Sequence, residues 1–257
     1  ALGYTINWTQ LLDTGGTVFS DSLFQIRDAF SERELPPLLY DKVKDVDGGK
    51  DDSLSLYKMK LQFPFAVQSN VESLEASYDK FATQNDLFRA VSGEEQPLIT
   101  DISGQIQNGT ATLAVGENTQ VLYFYGTNTG ENPVTIYVNG TPVKIPASYY
   151  YENEQYPSDF CNGLVCLGAF KNETVTVQFA TNAAVTDLHL GMLDYALLEQ
   201  TADTLKNQGM QVTDLKQKNS GASFAVKDAK AGSVFVPVPY DENWKCKVNE
   251  EDVSEKV

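Results

Sequence analysis

Apolar and polar positions change their rhythm along this chain, and the longest stretch with one rhythm runs from residue 99 to residue 179. Short alternating runs recur there at residues 111–115 (ATLAV), 121–125 (VLYFY), 134–138 (VTIYV), 163–170 (GLVCLGAF) and 174–179 (TVTVQF). Asn-Gly and other glycine-bearing turns separate them, and residues 185–192 (VTDLHLGM) add a further strand. Regular short strands without intervening helices predict an antiparallel, jelly-roll-like β-sandwich. Within it, Asn139-Gly140 predicts a tight hairpin joining residues 134–138 to residues 143–145, because both central positions of such a turn take positive φ.

The flanks read differently. Residues 17–19 suggest a short strand, and Ser20 or Asp21 suits the cap of a helical turn through Leu23, Phe24 and Ile26. Pro36-Pro37 interrupts the pattern before a brief apolar run at residues 38–40, read as a strand. Residues 55–68 are strand-like, with Pro64 marking an edge or bulge. Leu74, Tyr78, Phe81, Phe88 and Val91 then fall on one stripe at steps of three and four, predicting a helix that stops at Gly93. Asn85 lies inside that apolar stripe, so its amide needs a partner, for which a neighbouring backbone group is expected.

A second helix is predicted over residues 194–208, with Leu198, Ala202 and Leu205 on one face and Gly209 as its stop. Strands follow at residues 212–215 and 223–226. A closing hairpin is expected in which residues 234–238 turn at Tyr240-Asp241 and return through Trp244, Cys246 and Val248, with Pro237 and Pro239 confining it to an edge. The fold class is therefore mainly β with a few helices, α+β. A small α/β region (1–98) precedes the sandwich (99–193), and a linker helix opens a partial second β domain (194–257). The chain stops soon after the closing hairpin, as a piece of something longer would.

Composition narrows the partners. The 257 residues carry 35 Asp and Glu against 19 Lys and Arg, a net charge of -16, which argues against nucleic acid. No run approaches the roughly 20 apolar residues of a membrane-spanning helix. Four sequons begin at Asn7, Asn108, Asn139 and Asn172 and matter only in a eukaryotic secretory pathway. Of the three cysteines, Cys161 and Cys166 flank an Asn-Gly turn signal; they either pair, if their Cβ atoms come within about 4 Å, or remain buried thiols.

Chemistry-bearing motifs are sparse. His189 is the single histidine, insufficient for a zinc site or a triad. No nucleophile elbow, phosphate loop or dinucleotide fingerprint is present. Asp45, Asp47 and Asp51 lack the spacing and terminal Glu of a calcium loop, which leaves a solvated hairpin loop. Neither a metal nor a cofactor is implied, and no catalytic residue is assigned. The aromatic run Tyr149, Tyr150, Tyr151, followed by Tyr156, sits among Glu, Asn and Gln. Adjacent strand residues face opposite sides, so at least one ring lies outside the core. Such rings suit stacking on a sugar, or belong to an ordered loop packed on itself or on a larger protein. Tyr240, Asp241 and Trp244 are read as turn and core residues of the closing hairpin.

At this hairpin VPVPYDENWKCKVN resembles the IPYD-x-GW-x-V-x-VNG segment of YfhO-type bacterial membrane proteins. Four further pieces agree in order: TVFSDSLFQIR at residues 17–27, containing Asp21; residues 61–67; NDLFRAVSG at residues 85–93, containing Asn85, Phe88 and Gly93; and residues 197–212. Glu242-Asn243 departs from the usual small residue before the Trp, and Asn249-Glu250 lacks the glycine that usually follows the Asn. The resemblance implies a polytopic, lipid-phosphate-sugar-dependent glycosyltransferase that decorates teichoic or lipoteichoic acid, with this segment lying outside the membrane of a Gram-positive cell. The acidic catalytic residues of that type lie in loops between early membrane helices, and none is carried over. The implied partners are the membrane portion of the same protein and a cell-wall glycopolymer. The competing readings are a stand-alone or surface-attached carbohydrate-binding sandwich and a structural surface domain.

Overall fold

A computed structural model of the chain describes residues 17–20, 23–26, 36–47, 53–61, 63–69, 79–128, 135–143, 164–180, 185–218, 221–236 and 245–254. The described part is mainly β, with antiparallel sheets and two α-helices. In chain order the first elements are Thr17–Ser20 (β1), Leu23–Ile26 (β2), Tyr40–Asp47 (β3), Ser53–Met59 (β4), Val67–Ser69 (β5) and the helix Lys80–Ser92 (α1). The middle of the chain supplies Ile99–Asp101 (β6), Thr110–Val115 (β7), Gln120–Asn128 (β8), Ile136–Val138 (β9), Thr141–Val143 (β10), Val165–Phe170 (β11), Glu173–Phe179 (β12) and Val185–Asp194 (β13). Helix Tyr195–Gln208 (α2) leads to Gln211–Lys218 (β14), Gly221–Lys227 (β15), Ser233–Phe235 (β16), Lys247–Val248 (β17) and Glu251–Asp252 (β18).

Two four-stranded antiparallel sheets, ordered β10-β9-β12-β7 and β11-β8-β13-β6, form the sandwich. Strand β8 organises both its faces. Leu122 and Phe124 enter the inter-sheet core with Leu113, Ile136, Val165, Val175, Val177 and Phe179. Val121, Tyr123 and Tyr125, pointing the other way, join Phe81, Phe88, Ile99, Leu193 and Leu198 beneath the two helices. A strand covered on both sides reads as an unbroken apolar run instead of an alternation, which is why VLYFY is apolar at every position. The helix-side core also takes in Leu39, Tyr40, Leu61 and Val67, so the early part of the chain packs against the middle of the second sheet.

Both helices are capped by their own sequence. Asp79, in extended geometry, accepts the Ala82 N–H at 2.9 Å, and Asp194 accepts that of Leu197 at 3.1 Å. Helix α1 therefore begins at Lys80; Leu74 and Tyr78 of the predicted stripe lie outside the described residues. At its other end Gly93 has φ 74° and donates to Arg89 O. Gly209 ends α2 differently. Its φ is -87°, and a Cβ there would lie 2.6 Å from Leu205 O, so close approach rather than left-handed geometry selects the glycine.

Several expectations are corrected. Leu23–Ile26 is a strand paired with β1 in the register Ser20↔Leu23, not a helical turn; four residues make too short a helix to repay its nucleation. Residues 37–39 form a turn, in which the Leu39 and Tyr40 amides both donate to Pro36 O, and the strand starts only at Tyr40. The closing hairpin is partnered otherwise. Strand β16 pairs with β5, and β17 pairs with β18 in the register Val248↔Glu251. The physical reason is the turn at Asn249 and Glu250, with φ of 50° and 69°, which folds the chain back at once.

Glu250 thus holds a left-handed position without the glycine of the resembling VNG segment. Replacing it by Gly is expected to stabilise the fold by about 1 kcal/mol, read as a shift in the urea midpoint. The Asn139-Gly140 hairpin has the matching geometry, φ 49° and 79°, with glycine at its second position and Thr141 opposite Val138.

Candidate functional site

The sequence-derived residues divide sharply. Tyr149, Tyr150, Tyr151, Tyr156, Asp21, Tyr240, Asp241, Trp244 and Cys161 lie outside the described residues. Cys166 is buried in β11, on the helix side of its sheet. Asn85, Phe88 and Gly93 are all on or next to α1, and together they fix that helix against the second sheet. Phe88 is fully buried in the helix-side core. Asn85 spans the gap to β6: its Nδ2 donates to Ile99 O and its Oδ1 accepts the Ile99 N–H, both at 2.8 Å. One amide therefore satisfies both backbone groups of the residue opposite Leu193.

A second amide of this kind joins distant parts of the chain. Gln68 Nε2 donates to Lys230 O at 2.9 Å and to Ala231 O at 3.2 Å, while the Lys230 N–H donates to Gln68 Oε1 at 2.9 Å. Asn139 uses its Oδ1 to accept the Thr176 N–H at 2.8 Å. Asn108, Asn139 and Asn172 all have positive φ, so these three sequon asparagines occupy left-handed positions in the turns just before β7, β10 and β12; Asn7 lies outside the described residues. Asparagine tolerates that geometry better than most residues, which accounts for its recurrence there.

Among the described residues, the densest grouping of polar chemistry, missed from the sequence, lies where β8, β13, β6 and α1 meet. Tyr125 and His189 stack nearly parallel, with ring centroids 4.2 Å apart and an interplanar angle of 7°. Phe81 meets the same tyrosine edge-on at 4.8 Å. The Tyr125 hydroxyl donates to Asp79 Oδ1 at 3.2 Å, the oxygen that also caps α1. Across the stack His189 Nδ1 stands 3.8 Å from Asp101 Oδ2. Asp101 Oδ1 accepts the Ser103 N–H at 2.7 Å and the Ser103 hydroxyl, and Ser103 Oγ accepts the Leu190 N–H at 3.0 Å.

Ser, His and Asp are thus neighbours, but in the order Ser–Asp–His. The Ser103 proton goes to the carboxylate and not to an imidazole nitrogen, so the connectivity that activates a nucleophile is missing. The cluster ties the 103–105 turn and the end of β13 to the sheet. Among the described residues no group of three or more His, Cys, Asp and Glu is disposed to hold a metal ion.

Burial, then the Asp79 carboxylate, pushes the Tyr125 hydroxyl well above the ordinary tyrosine range; burial, then Glu199, does the same at Tyr195. A group whose folded pKa is raised contributes fully below its unfolded value, about 10, and the contribution disappears as pH rises past it toward the folded value. Unfolding midpoints are therefore expected to fall from about pH 10 upward, and Tyr125→Phe is expected to flatten part of that fall. Urea melts at stepped pH check both.

The family model of the bacterial membrane protein YfhO matches residues 1–256, and the chain belongs to that family. No curated protein and no solved structure matches it. Membership links the chain to a membrane-embedded bacterial protein. Among the described residues no helix is long and apolar enough to cross a membrane.

Proposed function

We propose that this region is a non-catalytic, extracytoplasmic module of a multi-pass membrane glycosyltransferase acting on cell-envelope polymers such as teichoic or lipoteichoic acid. The observation that carries the reading is the family match across residues 1–256, which makes the β-rich chain part of a membrane protein family. Helices of 13 and 14 residues, each with one apolar face on a sheet, support placing the region beside the bilayer instead of within it. In this reading residues 99–193 are a jelly-roll-like sandwich, with a small α/β region at 1–98 and a second β domain opening at 194–257. Tyr149, Tyr150, Tyr151 and Tyr156 are its glycan- or partner-contacting residues, and Cys161 and Cys166 its candidate disulfide.

The test is made in cells carrying the full-length membrane protein. Residues 1–256 are replaced by an inert linker, and the sugar content of the extracted polymer is measured alongside the amount of protein in the membrane. The expected result is unchanged membrane content with reduced sugar substitution. Full substitution with the linker in place would sink the proposal. Sugar binding by the isolated chain, with no effect of the linker in cells, would favour a carbohydrate-binding sandwich.

A further inference from the structure

The strand pair β14–β15 carries a charge opposite to that of the molecule. Residues 211–230 hold four lysines and two aspartates within a chain of net charge -16. Register sorts this ribbon into two unlike faces. Phe224 packs edge-on against Phe65 at 5.4 Å, and Val212 and Leu215 line a cleft of about 220 Å³ with Pro64, Phe65 and Met210, closed at the helix end by Lys206 and Gln211. That is the inner face. On β15 the residues alternate with Phe224, so Ser223, Ala225 and Lys227 share the outer face, and all three are exposed. Lys216 lies opposite Ser223 and Lys227 opposite Gln211, which puts both exposed ammonium groups on that same outer side.

The row contains no carboxylate. Of the two aspartates, Asp214 sits in the bulge between Thr213 and Lys216 with φ 54°, and Asp228 lies beyond the last ladder pair with φ 59°. Lys216 and Lys227 are separated by four residues along β15, about 14 Å at the rise of a strand. Exposed Lys230 follows three residues after Lys227, its backbone held on both sides by the Gln68 amide. A two-stranded ribbon with spaced cations outside and its aromatic ring turned inward fits a linear polyanion. It lacks the outward-facing aromatic wedge that an interfacial membrane anchor uses.

We infer that the outer face of β14–β15 binds the phosphates of a linear phosphodiester polymer, positioning it beside the acidic body of the chain. This rests on the proposed reading and deepens it by naming the surface that would meet the polymer. Edge lysines also deter strand-to-strand aggregation, so the experiment must separate recognition from solubility.

The 257-residue chain is titrated with unsubstituted poly(glycerol phosphate) by calorimetry at low and at moderate salt. Expected are binding that weakens as salt rises, a loss of about tenfold or more in K216E/K227E, and retention in K216R/K227R and in K171E, whose lysine is exposed outside the ribbon. Absence of binding, or an equal loss in K171E, overturns the inference. Equally tight, ribbon-dependent binding to phosphatidylglycerol vesicles would assign the face to the bilayer instead. Self-association of the chain abolished by K216E/K227E would assign it to a second copy. The linker replacement in cells reads the parent proposal separately: reduced sugar substitution there, with no polymer binding here, removes the ribbon's role and leaves the module's intact.

Discussion

Asn85→Leu is expected to destabilise the fold by about 3 kcal/mol, among the largest effects of any single substitution proposed here. The side chain is close in size, so little packing volume is lost. What is lost is the pair of hydrogen bonds to the Ile99 amide and carbonyl, both part-buried. Each orphaned backbone group costs about 1 to 3 kcal/mol, and partial exposure keeps the sum toward the lower end. Asn85→Asp separates the two bonds: it retains an acceptor for the Ile99 N–H but turns a carboxylate toward Ile99 O. Its deficit is expected to shrink below about pH 4, where a protonated acid can donate again. Urea melts of both variants at neutral and acid pH give the test, and a Leu variant as stable as the parent would remove Asn85 from the account of this helix.

The second large effect is steric. A Cβ on Gly191 would lie 2.5 Å from Phe81 Cζ, 2.6 Å from Phe81 Cε1 and 2.9 Å from Ile99 Cγ2. Both neighbours are almost wholly buried, and Phe81 is held edge-on against Tyr125, so neither has room to withdraw. Gly191→Ala is expected to cost about 2 to 3 kcal/mol through overpacking. Shortening the ring in Gly191→Ala/Phe81→Leu should recover part of that loss, and a double-mutant cycle measures the coupling. Independent, additive costs would show that the strain lies elsewhere.

Position 191 illustrates what sequence patterning conveys and what it omits. Gly191 falls inside an apolar run that reads as an ordinary strand, and nothing local announces that a helix residue 110 positions earlier needs its missing side chain. The sandwich strands, by contrast, were legible because alternation and turn chemistry are local properties. The Asn139-Gly140 hairpin and both helices were legible for the same reason, through turn residues, caps and stripes. Asn85 stood out because a polar residue on an apolar stripe demands a partner, though which partner depended on the sheet beyond it.

Non-local pairings were not legible. Residues 233–235 look equally able to meet the segment after the next turn or β5; they pair with β5, while Lys247–Val248 pairs across the reversal at Asn249 and Glu250 with β18. Leu23–Ile26 is as apolar as a helical turn, and its pairing with β1 decides it. The stacking of Tyr125 on His189 required the register of β8 against β13, including its irregularity between Thr186 and His189. Composition was misleading in one respect. A net charge of -16 describes the chain as a whole and conceals a basic ribbon, visible in the local count of lysines, whose cations come to one side only through the register of β14 against β15.

The Gln68 amide has a consequence for the order in which the molecule is made. Its partners at Lys230 and Ala231 lie 162 and 163 residues further along, and the strand that completes the pairing of Val67–Ser69 lies further still, at Ser233–Phe235. While the chain is emerging from the ribosome, Val67 and Ser69 can meet the helix Lys80–Ser92 early, but the strand and amide partners of this edge are absent until residues 230–235 have been translated. Closing so long a loop is entropically slow, and contacts of that span delay the final step of folding. The central sheets are free to assemble first. A pulse-labelling experiment on nascent chains of increasing length should find them protected well before residues 67–69, whose amides become protected only once residue 235 has left the exit tunnel.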